Sequence, residues 1–252
     1  MSVETEDERF ERLSRDRIVR PLPKRFYKAV HVTEKLEIAL DGRIVKTPLK
    51  ATLALPSRAL AGAVAAEWDG QVGHINPGAM PLTKLANTAI DRVPRERPHI
   101  TEEIMEFAGS DMVCYRADKP ASLVTLQSEH WDDVVEWSRV ALGANFTTVD
   151  SIKHVQQPAG AIAAVARHVD GLEPFTFTAT HNLTTLTGSA LLAFMLASDA
   201  ISPDQAWLAA NVDEDWQIAT WGKDDEAEKR RGGRLAEFNA SVTFIKLAQT
   251  RP

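Results

Sequence analysis

The sequence contains a single cysteine, Cys114, in 252 residues. No internal disulfide and no multi-cysteine zinc site can form, and such usage suits a reducing compartment. Phosphate-loop chemistry is missing as well, because the only Gly-Lys pair, Gly222-Lys223, is followed by Asp224. A loop that cradles phosphates needs a Ser or Thr there and an earlier glycine, so no ATP binding or hydrolysis is expected. There is no GxGxxG after a strand, no HExxH to set two imidazoles on one helical face, and no GxSxG elbow. Positive charge is not in excess either. The net charge is −6, the opposite of the basic footprint that broad nucleic-acid binding requires. Finally, no long run is purely apolar. Residues 174–198 lack acidic and basic side chains apart from His181, but threonines, Asn182 and serines interrupt them. They read as a buried central helix rather than a membrane span.

What remains is a chain long enough for one large domain or two small ones, burying about three quarters of its unfolded surface without a metal or disulfide. The opening "MSVETEDERFERLSRDRIVRPLP" alternates acids and arginines. It has neither the apolar run of a secretory signal nor the acid-poor composition of a transit peptide, and residues 1–23 are expected to be a flexible charged segment. Residues 25–55 favour short strands. Asp41-Gly42 in "LDGRIV" is a hairpin signal, and "TLAL" supplies a further strand before Pro56. From Ser57 the pattern becomes helical, with Leu60, Val64 and Trp68 at four-residue steps that place Trp68 in a core.

"PRERP" after Val93 is a polar, proline-bounded stretch and the expected domain boundary, with 24–95 before it and 96–252 after it. Beyond it almost everything reads as helix. Thr101 or a neighbour is placed to cap a helix through Phe107, and Gly143 and Gly171 are placed to end two more. Ser202-Pro203-Asp204-Gln205 is a capping box with proline at the first helical position. Gly232-Gly233 would cost a continuing helix about 2 kcal/mol, so a break or kink is expected there. Strands first and helices afterwards indicate an α+β fold, a small N-terminal two-layer domain followed by a larger all-helical one.

No catalytic constellation emerges. His130, His154, His168 and His181 are scattered, Cys114 in "DMVCYRA" reads as a buried strand residue, and adjacent acids on the tail helix diverge by about 100°. No metal or cofactor is implied. The chain is rich instead in tryptophan, six against two tyrosines. Trp207, Trp216 and Trp221 fall close together, and side chains of this size dominate both cores and interface hot spots. If residues 207–221 form one helix, Trp207, Ala210, Glu214, Ile218 and Trp221 share a stripe. A carboxylate inside an apolar stripe needs a partner. Two are open for Glu214: an internal pair with one of the basic residues in "EKRRGGR", such as Arg230 or Arg231, or a donor on another protein.

The helix "MPLTKLANTAIDRV" raises a parallel question. Leu82, Leu85, Ala86, Ala89, Ile90 and Val93 share its apolar face, while Thr83, Asn87 and Asp91 decorate the others without any evident chemistry. They either order an interior junction or touch a partner.

Taken in order, "RFYK", "LDGRIVKTP", "LALPSRALAGAVAAEWDGQ", "MPLTKLANTAIDRV", "YRA", "HNLTTLTGSALLAFML" and "WQIATWGKDDEAEKRR" resemble the F1-ATP synthase assembly chaperones that bind the alpha subunit. The resemblance spans roughly residues 24–231 and implies a small α+β N-terminal domain, an all-helical C-terminal domain and no ATPase activity. It implies a chaperone that holds unassembled alpha subunit until the beta subunit takes the same surface, here in a bacterial cytoplasm and monomeric when free. Client contact is then expected at Asp213, Glu214, Trp216 and Trp221 with Trp207. Trp68, Leu85, Asn87 and Asp91 are given structural roles. Two alternatives stay open: a small-molecule enzyme with an unrecognised site between domains, and a holdase without client preference.

Overall fold

The computed structural model describes residues 21–151 and 153–250, so most of the charged segment expected at residues 1–23 lies outside the described residues. Three short antiparallel strands open the fold: β1 (Val30–Val32), β2 (Ile38–Leu40) and β3 (Arg43–Ile44), in the order β1-β2-β3. Val30 pairs with Leu40, and Ala39 with Ile44. Asp41 and Gly42 both take positive φ, 46° and 81°, which gives the hairpin turn whose twist matches the strands. Asp41 also accepts a 2.8 Å bond from the Ala29 amide, and this backbone donor holds its carboxyl below the usual carboxylate range. "TLAL" forms no separate strand; it adds isolated bridges, Lys46 to Thr52 and Glu37 to Ala54, along the same sheet.

Helix α1 (Arg58–Asp69) lies across the sheet and buries Leu60, Ala61 and Val64. Its N-cap, Ser57, accepts from the Leu60 amide at 3.0 Å and donates to the Leu247 carbonyl near the C-terminus. Among the described residues, one hydroxyl thereby joins the first helix to the last.

Then come α2 (Pro81–Asn87), a π-helical segment (Thr88–Arg92) and α3 (Val93–Gly109), continuous through "PRERP". The expected polar hinge is therefore helix, and the helix placed to start at Thr101 begins eight residues earlier. Pro94 sits in the first turn, where a missing N–H leaves nothing unpaired, and Pro98 is exposed, so water can take up the carbonyl pairing it removes. A boundary at 95/96 falls inside this helix.

A 3-10 turn (Met112–Cys114) follows, so Cys114 is buried in a tight turn and not in a strand. The remaining helices are α4 (Ala121–Leu142), α5 (Ala159–Asp170), α6 (Pro174–Thr187), α7 (Ala190–Ala197), α8 (Pro203–Ala210), α9 (Val212–Trp221) and α10 (Asp225–Gln249). Gly143 ends α4 in the left-handed conformation, φ 66°, as its position implied. Residues 174–198, expected as one helix, are two. Gly188 ends α6 at φ 71°, and Ser189 caps α7 by accepting from the Leu192 amide at 3.1 Å. Their buried positions agree with the core reading: all of Ala190–Leu196 is buried.

Helix α10 runs unbroken through Gly232-Gly233. Phe238, Val242, Phe244 and Ile245 are buried beyond the pair, and Asp224 caps the start by accepting from the Ala227 amide at 2.7 Å. Docking of that stripe offsets the intrinsic cost of two glycines.

The layers share their cores. One cluster combines sheet and α1 residues such as Ile38, Leu53 and Leu60 with Ala179 of α6 and Phe244 and Ile245 of α10. A second gathers α3, α4, α5 and α7 around Ile104, Trp131, Val165 and Leu191. A third joins Leu183, Ala193, Trp207, Phe238 and Val242. Helices α6 and α10 pack along each other and reach into both the strand layer and the helical layer.

Candidate client-binding surface

The end of the helical layer is built by α8, α9 and α10. Ser202 forms the expected capping box, its Oγ accepting from the Gln205 amide at 3.2 Å with Pro203 at the first helical position. The buried face of α8 holds Ala206, Trp207 and Ala209, and Trp207 packs on Phe238 with ring centroids 5.2 Å apart. At Asn211 the backbone leaves the helical region, φ −124° and ψ 17°, while the Asn211 side-chain Nδ2 donates to the Trp207 carbonyl at 2.7 Å. The chain turns there, so residues 207–221 are two helices and the single stripe expected from periodicity is split. Trp207 is 8% exposed and belongs to the core; Trp221 is 73% exposed.

Glu214 has an internal partner within "EKRRGGR", as one of its two readings held, though the residue is neither Arg230 nor Arg231. It faces Arg234 at 3.6 Å, with both side chains partly exposed. Arg231 instead pairs with Asp215 at 2.5 Å, and Arg230 with Glu226 at 3.3 Å. The reason is rotation: breaking the helix at Asn211 turns α9 so that Asp215 faces Arg231 and Glu214 faces the next turn of α10. Asp215 beside it raises the Arg231 pKa above its ordinary value. Both guanidinium groups lie near the Trp207 ring, Arg231 at 6.0 Å and Arg234 at 5.8 Å from its centroid.

The neighbouring expected contacts are also anchored. Asp213 accepts from Gln127 Nε2 at 2.8 Å, and Gln127, buried on α4, accepts in turn from the Ala117 amide at 2.7 Å. Trp216 donates its indole N–H to Ser122 Oγ at 3.1 Å and meets Trp221 edge to face at 5.5 Å. Nothing in the sequence pointed to Gln127 or Ser122, because each lies far along the chain and carries a common surface residue type. Arg234 lay in the charged run but one turn beyond the arginines singled out.

The result is a groove of about 480 Å³ between α9 and the first turns of α10, lined by Ile218 and Trp221 on its apolar side and by Glu214, Lys223, Glu228 and Arg231 on its charged side. It contains no nucleophile with an adjacent base. An exposed aromatic beside satisfied charges is the composition of a recognition surface, where apolar area supplies affinity and charges supply register.

The perturbed titratable groups lie elsewhere and do not converge. Asp111 is fully buried and its carboxyl is pushed up to about 6 by desolvation, against bonds from Ser189 and the Leu191 and Val113 amides. Burial likewise pushes the Cys114 thiol up to about 12, which makes it a poor nucleophile. His181 is 2.7 Å from Glu103, yet burial outweighs that carboxylate and lowers its pKa. Among the described residues no cluster of His, Cys, Asp and Glu is placed to hold a metal, and no helix is long and apolar enough to cross a membrane.

At the strand-to-helix junction, carboxylates tie the elements together. Glu67 on α1 accepts from the Leu82 and Thr83 amides and from Thr83 Oγ1, each at 2.7 Å, which caps α2. Asp91 accepts from Thr47 Oγ1 at 2.6 Å and from the Leu49 amide at 2.9 Å. Leu85 is buried in the strand-side core, Asn87 is half-buried, and Trp68 is half-buried against Tyr27 with its ring centroid 5.9 Å away. Its indole N–H is buried without a partner among the described residues, so Trp68 is less completely enclosed and less well satisfied than a core tryptophan.

Residues 24–139 match the family model of the ATP12 chaperone protein. Over 90% of this chain and 99% of the other, the fold and sequence match the crystal structure of Atp12 from Paracoccus denitrificans, with 35% identity and a TM-score of 0.84. The chain belongs to the ATP12 chaperone family. A chaperone-assigned protein of Agrobacterium tumefaciens is 42% identical, with a TM-score of 0.84 over 90% of this chain and 87% of that one. The fission yeast protein atp12, named as mitochondrial, is 22% identical over 247 residues, 89% of this chain and 84% of its own. The ATP12 fold thus spans both layers described above, and the family model ends within α4.

Proposed function

We propose that this ATP12-family chain is an ATP-independent assembly chaperone that holds the unassembled alpha subunit of F1-ATPase and yields it to the beta subunit. The observation that carries the contact assignment is Trp221. It is a large aromatic left 73% exposed at the rim of the α9–α10 groove, beside Ile218, Glu214 and the edge-packed Trp216. A tryptophan in water is an unspent source of binding energy. Asp213 and Trp216 are pinned to α4 and hold α9 in place, while Trp207 supports the face from beneath and offers no surface of its own. Release needs no fuel, since a better-matched partner displaces the chaperone by mass action. The protein acts as a monomer in the bacterial cytoplasm.

Because the Glu214–Arg234 pair is partly exposed, it is worth at most about 1 kcal/mol to the fold. Glu214→Lys therefore separates binding from folding, as does Trp221→Ala. The assay is capture of F1 alpha subunit from a lysate of the source bacterium, followed by its displacement with beta subunit. Each variant is expected to keep its melting temperature and to weaken capture by roughly ten- to hundredfold, the range of an interface hot spot. Undiminished capture by both variants would move the client contact off this face. Equal capture of unrelated unfolded proteins would make the chain a general holdase.

A further inference from the structure

A larger groove than that of the α9–α10 face lies elsewhere on the described residues. It measures about 720 Å³ and sits where the strand layer meets α2, with the 46–50 turn on one wall and α2 and the π segment on the other. The volume is that of a ligand site, 300–1,000 Å³. Its floor is apolar, formed by Trp68, Ile75 and Met80. Leu49, on the rim, is 50% exposed.

The charge around this floor reverses that of the chain. Lys46 and Lys50 stand on the first wall and Lys84 and Arg92 on the second, against the single carboxylate of Asp91. Asp91 is already committed to Thr47 and Leu49, and that tie fixes the turn against the π segment. Arg92 is shared with Glu96 at 2.6 Å, and Lys46 donates to Thr52 Oγ1 at 2.8 Å. Among the described residues no carboxylate pairs with Lys46, Lys50 or Lys84. On a chain of net charge −6, a groove ringed by cations is a local exception.

We propose that this groove binds an extended client segment with an apolar centre flanked by acidic residues on both sides. The assignment of the segment to a client rests on the chaperone reading above. Cations on both walls distinguish such a chain from a compact monocarboxylate, which would answer the charge of one wall and leave the other unpaired. Leu49 points the same way, since its exposed apolar surface extends contact past the groove itself. Trp68 lines the floor, and its buried indole N–H has no acceptor among the described residues. The walls are held before binding by Asp91 and by Glu67, so little order need be gained when a segment enters.

The test is fluorescence anisotropy with the full chain and labelled, end-blocked peptides that share one apolar centre and carry either glutamates or lysines at both ends. Glutamate-flanked peptide is expected to bind at least about tenfold more tightly than its lysine counterpart at low salt, and to weaken as salt rises. Lys46→Glu combined with Lys84→Glu should reverse that preference without lowering the melting temperature, and Leu49→Asp should weaken both peptides. Equal binding of the two peptides, no binding, or a preference untouched by charge reversal overturns the proposal. Displacement by hexanoate at concentrations matching the peptide's own affinity also overturns it, making the groove a small-carboxylate site. Alpha-subunit capture is read in parallel. Selective peptide binding without alpha capture supports the groove and removes the client assignment, while capture without peptide binding removes the groove alone.

Discussion

Asp111 offers the sharpest physical test of how this fold handles a buried charge. Its carboxyl is 0% exposed and sits at the start of α7, where the Leu191 amide donates to Oδ2 at 3.1 Å and the Val113 amide to Oδ1 at 3.3 Å. Two effects oppose each other. Amides at a helix N-terminus favour the charged form, and desolvation disfavours it. Desolvation prevails, raising the pKa from 3.8 to about 6. A raised carboxyl pKa means that the folded state binds the proton more tightly than the unfolded chain does. The resulting stabilisation is fully present below about pH 4 and is lost as pH rises through about 6. A shift of about two units corresponds to about 3 kcal/mol. Asp111→Asn removes this titration while every other carboxyl titrates in both proteins, so the difference between the two isolates Asp111. The stability of the parent relative to Asp111→Asn should fall by about 3 kcal/mol between pH 4 and pH 7, about 6–12 °C in melting temperature for a chain of this size. Calorimetric unfolding at four pH values measures it. A difference that stays constant, or that grows with pH, would show that the helix amides overcome burial and would refute the reasoning.

Two further outcomes follow from local geometry. Gly232 and Gly233 lie in an unbroken helix, exposed, with open space where a Cβ would stand, so replacing both with alanine should stabilise the protein by about 2 kcal/mol in urea unfolding. No gain, or a loss, would mean that α10 needs a kink there. Trp68→Ala should cost about 2–3 kcal/mol, less than the 3–5 typical of an enclosed tryptophan, because the ring is half-buried and its N–H is already unpaired. A loss above 5 kcal/mol would show that the ring is a full core member, and an unchanged melting temperature would show that it packs on nothing essential.

Much of this protein is fixed by residues acting over short distances. Asp41-Gly42 makes its turn because both positions adopt positive φ at low cost, and Ser202 to Gln205 satisfy each other's backbone groups wherever the helix that follows is placed. The stripe Leu60, Val64 and the run Ala190–Leu196 are apolar enough that only burial suits them. The lack of a phosphate loop and the acidic balance likewise restrict chemistry before any folding. Other features depend on which elements meet. "PRERP" is helical because α3 packs across α6 and α7, and tertiary packing outweighs a local proline preference. Gly232-Gly233 is helical because Phe238 and Ile245 dock beyond it. Periodicity alone cannot detect that Asn211 turns the chain, and that turn alone decides the rest: Trp207 goes into the core, Trp221 into water, and Glu214 to Arg234 instead of Arg231. Thr83 and Asp91 look like idle polar residues on a helix until Glu67 and Thr47, distant in sequence, are brought beside them. A local signal states what a segment can do with its own neighbours, while a site is made by side chains whose neighbours the sequence does not place.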